Sequence, residues 1–314
     1  QYDNGVMIKV GSSYHNRQKK GNISKKPLFP TTSITMLTLR NGLLMPQLGL
    51  GTFRLQGDSC YRVVKYSLDN KLYGLIDTAS CYHNHSQIAL AISDSRAERD
   101  EVFIVSKIAP REMGTKETEL AAENILKELN IEYVDLLLVH WPGKSRVSAT
   151  SDKHRTFRSD TWRVLEQLYH TGRCKAIGVS NFTQTHLQQL LEDCDVVPMV
   201  NQVEYHPHLV QSELQQYCSA HNIQLCGYAS LGNGSLVQDP IIHKLAKQYK
   251  KTEAQILIKW SIQRGVGALV KTSTIERALE NSQVQDLEIE EADMETITEM
   301  NCNKRYCWDP SSIY

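Results

Sequence analysis

Beyond about residue 33 the chain alternates between two hydrophobic rhythms. Short apolar runs centre near positions 48, 75, 104, 137, 177, 201, 226 and 269, the pattern of strands covered on both faces. Between them, apolar residues recur three and four apart, for example around 60–70, 117–129, 160–171, 184–193 and 211–221, which predicts amphipathic helices. Gly172 follows one such stretch and precedes the Cys174–Val179 run, as a helix stop should. Ahead of this alternation, Ile34–Leu39 and Leu43–Met45 flank Asn41-Gly42, which predicts a hairpin with positive φ in its tight turn. Eight strand–helix repeats over this length fit a single (β/α)8 TIM barrel better than two doubly wound domains.

Residues 1–32 break the rhythm. They are polar and basic, with Lys9, Arg17, Lys19, Lys20, Lys25 and Lys26 against Asp3, and Pro27 and Pro30 close the stretch. They read as a flexible solvated extension outside a domain spanning 33–314. The segment 143–160 is also polar, and is expected to be a long connection rising over the rim that follows His140.

Charge changes the picture by exclusion. The 314 residues carry 35 acidic and 35 basic side chains and no net charge, so nothing points to a nucleic-acid partner. No apolar run reaches the length of a membrane span, and no secretory segment opens the chain. The eight cysteines contain no C-x-x-C pair and read as reduced thiols of a cytoplasmic protein. Cys81 is set apart only by its place beside Tyr82.

Three predicted strands end in an ionisable residue. Leu75-Ile76 runs into Asp77, with Tyr82 five residues on; Val102–Ser106 runs into Lys107; Leu136–Val139 runs into His140. One such Asp is as readily a helix cap. Three residues of three types at strand ends are harder to read as three caps, because parallel strands deliver their ends to one rim. A phenol, with an ordinary pKa of about 10, becomes a better general acid beside a lysine ammonium that favours phenolate. Asp77 would hold Lys107 charged, and His140 would orient a carbonyl oxygen. Such a set suits protonation of an oxygen as hydride reaches its carbon, and the hydride requires a nicotinamide or flavin.

These residues resemble the aldo-keto reductase family. Leu48-Gly49-Leu50-Gly51-Thr52-Phe53 is similar to its first barrel strand, and Ile76-Asp77-Thr78-Ala79 with Tyr82, Ser106-Lys107 and His140-Trp141-Pro142 to its catalytic tetrad. Ala176–Phe182, Asn201–Pro207 and Lys271-Thr272-Ser273 with Arg277 and Asn281 continue the likeness, which spans about 35–310. It implies a barrel whose hairpin plugs the bottom, and catalysis by Asp77, Tyr82, Lys107 and His140. It implies NADPH/NADP+ as cofactor, with Lys271 and Arg277 on the 2′-phosphate and Asn281 on the adenine. Ser180, Asn181 and Gln202 would meet the carboxamide, Tyr228 the nicotinamide ring and Asp77 its ribose. Thr52, Leu231, Thr272 and Ser273 complete the expected cofactor contacts. The absence of a G-x-G-x-x-G after the first strand agrees with a non-Rossmann site.

Phe53, Trp141 and Trp308 would wall the substrate pocket, and the short stretch after Trp308 implies an open mouth for a small or medium carbonyl. The chain departs from the family at His85 (usually Glu), Phe53 (often Trp) and Ala229 (often Ser). His83 and His85 lack a carboxylate or cysteine cluster nearby in sequence, so no metal is expected. The likeness implies a monomeric NADPH-dependent reductase of aldehydes and ketones. The alternative is a catalytically silent NADP(H)-binding redox sensor or regulatory subunit; a hydrolase on the same barrel lacks paired carboxylates.

Overall fold

Residues 35–314 are described in a computed structural model of the chain. The predicted 1–32 extension lies outside them. Strands β1 (Met36–Thr38) and β2 (Leu44–Pro46) pair antiparallel, with Thr38 opposite Leu44. The expected turn with a positive φ is present. Leu39 N donates to Leu43 O at 2.9 Å across a three-residue loop, and within Asn41-Gly42 only Gly42 takes positive φ, +84°. Asn41 instead uses its side chain, accepting from Leu43 N and donating to Lys175 O. That second bond ties the hairpin to the bottom of the barrel. Leu39 and Met45 are buried there among Leu75, Phe103, Leu136, Ala176 and Met199, which lie at or just ahead of strand starts.

Eight parallel strands close the barrel: β3 (Leu48–Gly51), β4 (Leu75–Asp77), β5 (Phe103–Ile108), β6 (Leu136–Val139), β7 (Ile177–Ser180), β8 (Val200–Glu204), β9 (Gln224–Tyr228) and β10 (Gly267–Lys271), the last pairing back to β3. All eight expected strands are present. Close approach explains Gly178, where an added Cβ would lie 2.5 Å from the Val200 carbonyl oxygen.

Among the described residues, ten α-helices follow the strands: α1 (Gly57–Asp69), α2 (His85–Ser93), α3 (Thr115–Leu129), α4 (Lys153–His170), α5 (Gln184–Asp193), α6 (Ser212–Ala220), α7 (Pro240–Tyr249), α8 (Glu253–Gln263), α9 (Ile275–Ser282) and α10 (Glu291–Thr298). In α3 the buried residues Thr118, Ala121, Ala122, Ile125, Leu126 and Leu129 form one stripe, and Asn130 ends the helix in the left-handed region. Helix α4 corrects the reading of 143–160 as one long loop. It begins at Lys153, and its inner face includes His154 and Arg158, whose polarity disguised the helical period. Arg158 Nη1 donates to Pro142 O and Tyr314 O, and Tyr314 N donates to Ala149 O. The remaining loop is thus packed against the C-terminal residues. Among the described residues, no helix is long and apolar enough to cross a membrane.

Candidate active site

The register sets the site. Gly51, Asp77 and Val105 sit opposite one another on β3, β4 and β5, and Lys107 lies two residues further along β5. Lys107 is therefore delivered beside the carboxyl end of β4. Its Nζ lies 2.7 and 2.8 Å from the two Asp77 carboxylate oxygens and 2.8 Å from Thr78 O. The side chains of Lys107 and Asp77 are 0% and 6% exposed, so this is a buried ion pair with hydrogen bonds on both sides. The Tyr82 hydroxyl is 3.5 Å from the same Nζ. His140, directly after β6, places its ring 5.8 Å from the Tyr82 ring, edge to face. The structure brings together the three residues singled out at strand ends and Tyr82.

Tyr82 owes its position to a pinned turn. Thr78 Oγ1 donates to Asn84 Oδ1, and Asn84 Nδ2 donates to the Thr52 and Leu55 carbonyls. Ser80 Oγ donates to Glu112, and Gln56 Nε2 donates to Tyr82 O. His83 takes φ +55°, reversing the chain into α2. Sequence reasoning assigned no part to Gln56, Asn84 or Glu112, because most of their contacts join loops 26 to 32 residues apart.

The electrostatics set the resting state of the phenol, and any pull of Lys107 towards phenolate is outweighed. Burial, followed by the charge of Asp77, raises the phenol well above its ordinary value. Asp77, in direct contact with the ammonium, adds its own negative charge beside the buried ring. Tyr82 is consequently a protonated donor through neutral pH. His140 is shifted the opposite way: burial first, then Lys107, hold it well below the usual imidazole value, so it is neutral. Its Nδ1 lies 3.6 Å from Cys81 Sγ.

A second ring of polar groups joins this set. Gln202 Nε2 donates to Asp77 Oδ2, Ser180 Oγ to Gln202 O, Asn181 Nδ2 to His140 O, and Tyr228 OH to Asn181 Oδ1 at 2.6 Å. Asn181 and Ala229 both hold positive φ, 64° and 56°, at the ends of β7 and β9. Thr52 is fully buried and committed to the protein, its N and Oγ1 both donating to Asp77 O. Leu231 is half-buried at the start of a short turn after β9.

Lys271 ends β10, and Arg277 lies in the first turn of α9, whose cap is Thr274. Lys271, Ser273 and Arg277 are exposed, and neither cation is paired with a carboxylate among the described residues. Thr272 and Asn281 are buried beneath them. Two free cations at a helix start suit a phosphate.

At the mouth, Phe53 packs 5.1 Å from the Tyr82 ring and is 52% exposed. Trp141 and Trp308 face each other at 6.1 Å, with Trp308 81% exposed. The segment carrying Trp308 is fastened by Glu204, a buried carboxylate at the end of β8. It accepts from Tyr306 N, Cys307 N and His206 Nε2, with Arg305 3.8 Å away. His85 is explained differently from a metal ligand: Nδ1 meets Glu128 of α3 at 2.9 Å and Nε2 meets Ser106 Oγ at 3.2 Å. The carboxylate absent from its sequence neighbourhood comes from another helix.

Comparison with known proteins adds an independent finding. The profile described as "Aldo/keto reductase family" matches residues 47–302. Glyoxal reductase of Bacillus subtilis (strain 168) is 38% identical over 285 residues, covering 90% of this chain and 99% of that protein. Methylglyoxal reductase DkgA of Yersinia pestis is 35% identical, covering 88% and 96%. The crystal structure of MGS-M4, an aldo-keto reductase from a Medee basin deep-sea metagenome library, superposes with a TM-score of 0.82. It is 37% identical, covering 89% of this chain and all of that one.

Proposed function

The chain belongs to the aldo/keto reductase family, and from that premise we propose that it reduces aldehydes and ketones to alcohols at the expense of NADPH. The observation that carries the proposal is the rim itself: a protonated Tyr82 hydroxyl 3.5 Å from an ammonium that Asp77 holds in place, with neutral His140 alongside. The residues present fit a nicotinamide nucleotide. Among the described residues, Lys271 and Arg277 are unspent cations at a helix start, and Ser230 Oγ, two residues beyond Tyr228, is a buried hydroxyl without a partner. Lys271, Thr272, Ser273 and Arg277 would hold the 2′-phosphate, which favours NADPH over NADH, and Asn281 would lie at the adenine. Thr52, Ser180, Asn181, Gln202, Tyr228 and Leu231 would line the nicotinamide half.

When bound, the nicotinamide supplies the hydride. Tyr82 gives its proton to the carbonyl oxygen as negative charge develops there. Lys107, the nearest cation, stabilises the phenolate left behind, and solvent later returns the proton. Asp77 keeps Lys107 from turning away. His140, being neutral, orients the oxygen without adding a charge that would compete with Tyr82. Phe53, Trp141 and Trp308 would contact the rest of the substrate. Eight free thiols are in keeping with a reducing, cytoplasmic setting.

The test is NADPH oxidation with a panel of aldehydes and ketones, glyoxal and methylglyoxal included, for the wild type and Tyr82→Phe. Turnover that falls at least a hundredfold in the variant, with NADPH binding retained, is the expected result. Tight NADPH binding without turnover of any carbonyl would instead support a silent nucleotide sensor.

A further inference from the structure

We propose that Cys81 is a positioning residue that sets the tautomer of His140, placing the ring proton on Nε2, where it can meet the substrate oxygen. The inference rests on the reductase reading above for its catalytic consequence, but not for its geometry. A neutral imidazole carries one N–H, and the nitrogen that carries it is decided by the hydrogen bond the other makes. Nδ1 lies 3.6 Å from Cys81 Sγ, within reach of a sulfur hydrogen bond. Nε2 has no protein partner among the described residues.

The polarity of the contact follows from what each group can do. Burial raises the Cys81 thiol above its ordinary value, so it remains S–H. Among the described residues the thiol has no other acceptor, whereas the imidazole has a second nitrogen without a protein partner there. The arrangement that leaves no donor unspent inside has S–H donating to Nδ1 and Nε2–H directed outward.

The sulfur is also held still. Cys81 is the middle residue of the short turn Ser80–Tyr82. On one side Ser80 Oγ is fastened to Glu112, and on the other Tyr82 O accepts from Gln56. The backbone that aims the phenol therefore aims the thiol, and the two rim groups become parts of one rigid piece. Sulfur is a weak donor, so the bias is modest but directed at one atom.

The experiment uses the full chain with 15N-labelled histidine, comparing wild type, Cys81→Ser and Cys81→Val by long-range 1H–15N correlation of the His140 ring. A His140→Gln variant assigns the signal. The expected wild-type spectrum shows an unprotonated, hydrogen-bonded Nδ1 and a protonated Nε2. Cys81→Ser keeps both the tautomer and kcat, since its hydroxyl also donates. Cys81→Val shifts the ring to a mixture, and kcat falls roughly three- to tenfold while NADPH affinity holds. A proton on Nδ1 in the wild type overturns the proposal, as does a valine variant with unchanged tautomer or unchanged kcat. If no carbonyl is turned over, the reductase reading fails separately. The wild-type and valine ring spectra then still decide whether Cys81 sets the tautomer.

Discussion

Replacing Asp77 with Asn tests the centre of the site and of the fold at once. Lys107 has no exposed side-chain surface, and its ammonium relies on both Asp77 oxygens, 2.7 and 2.8 Å away, and on Thr78 O. Opposite charges at that separation attract by roughly 6 kcal/mol at an effective dielectric of about 20. Asn keeps one acceptor for Lys107 but turns an amide towards Gln202 Nε2, which now donates to Asp77 Oδ2. Removing one partner of a buried pair costs about 3–5 kcal/mol, because an uncompensated charge stays inside. For some 280 folded residues the unfolding entropy is roughly 0.6 kcal/mol per kelvin, so Tm should fall by about 5–8 °C. The assay is urea unfolding and calorimetry of wild type, Asp77→Asn and Asp77→Asn/Lys107→Met. The double variant deletes the orphan charge and should recover more than half of the loss, with turnover absent in both. A single variant within about 1 kcal/mol of wild type, or a double variant no more stable than the single, would refute the account.

Three further outcomes follow from named contacts. Glu204→Gln removes the charge that fastens Tyr306 N and Cys307 N, so hydrogen exchange at those amides should quicken roughly ten- to a hundredfold, with KM for bulky carbonyls rising more than kcat falls. His186 accepts from Thr183 N at Nδ1 and donates to Ile313 O from Nε2, and burial chiefly lowers its pKa to about 4, with Arg158 and His154 adding to the shift. Its neutral form is the folded one, so this stability is complete above about pH 6.5 and is lost as pH falls from there towards 4. The loss should approach about 3 kcal/mol in urea unfolding, and His186→Gln should flatten the profile. Ala229→Gly relieves a left-handed alanine, φ +56°, and should raise stability by about 0.5 kcal/mol once the extra freedom of the unfolded glycine is subtracted.

Much of the architecture was legible from local pattern alone. Strands buried on both faces cannot tolerate alternation, so all eight announced themselves as apolar runs, and each candidate tetrad residue stood where such a run ended or just beyond it. The start of α4 escaped because its inner face includes His154 and Arg158, whose polar groups are satisfied by Ser148, Pro142 and Tyr314, partners that no local rule reveals. The hairpin and its positive φ were legible from Asn41-Gly42, whereas the bond from Asn41 to Lys175 was not.

The one-dimensional chain determined which chemical groups are available and, through its hydrophobic period, that they would arrive together on one rim. It did not determine their protonation. The net direction of the Tyr82 shift depends on burial and on Asp77, which reaches Lys107 at 2.7 Å across thirty residues of sequence. Likewise Glu128 reaches His85 from α3, and Glu204 fastens a segment a hundred residues away. Electrostatic effects depend on distance and burial, and both are properties of the packed barrel.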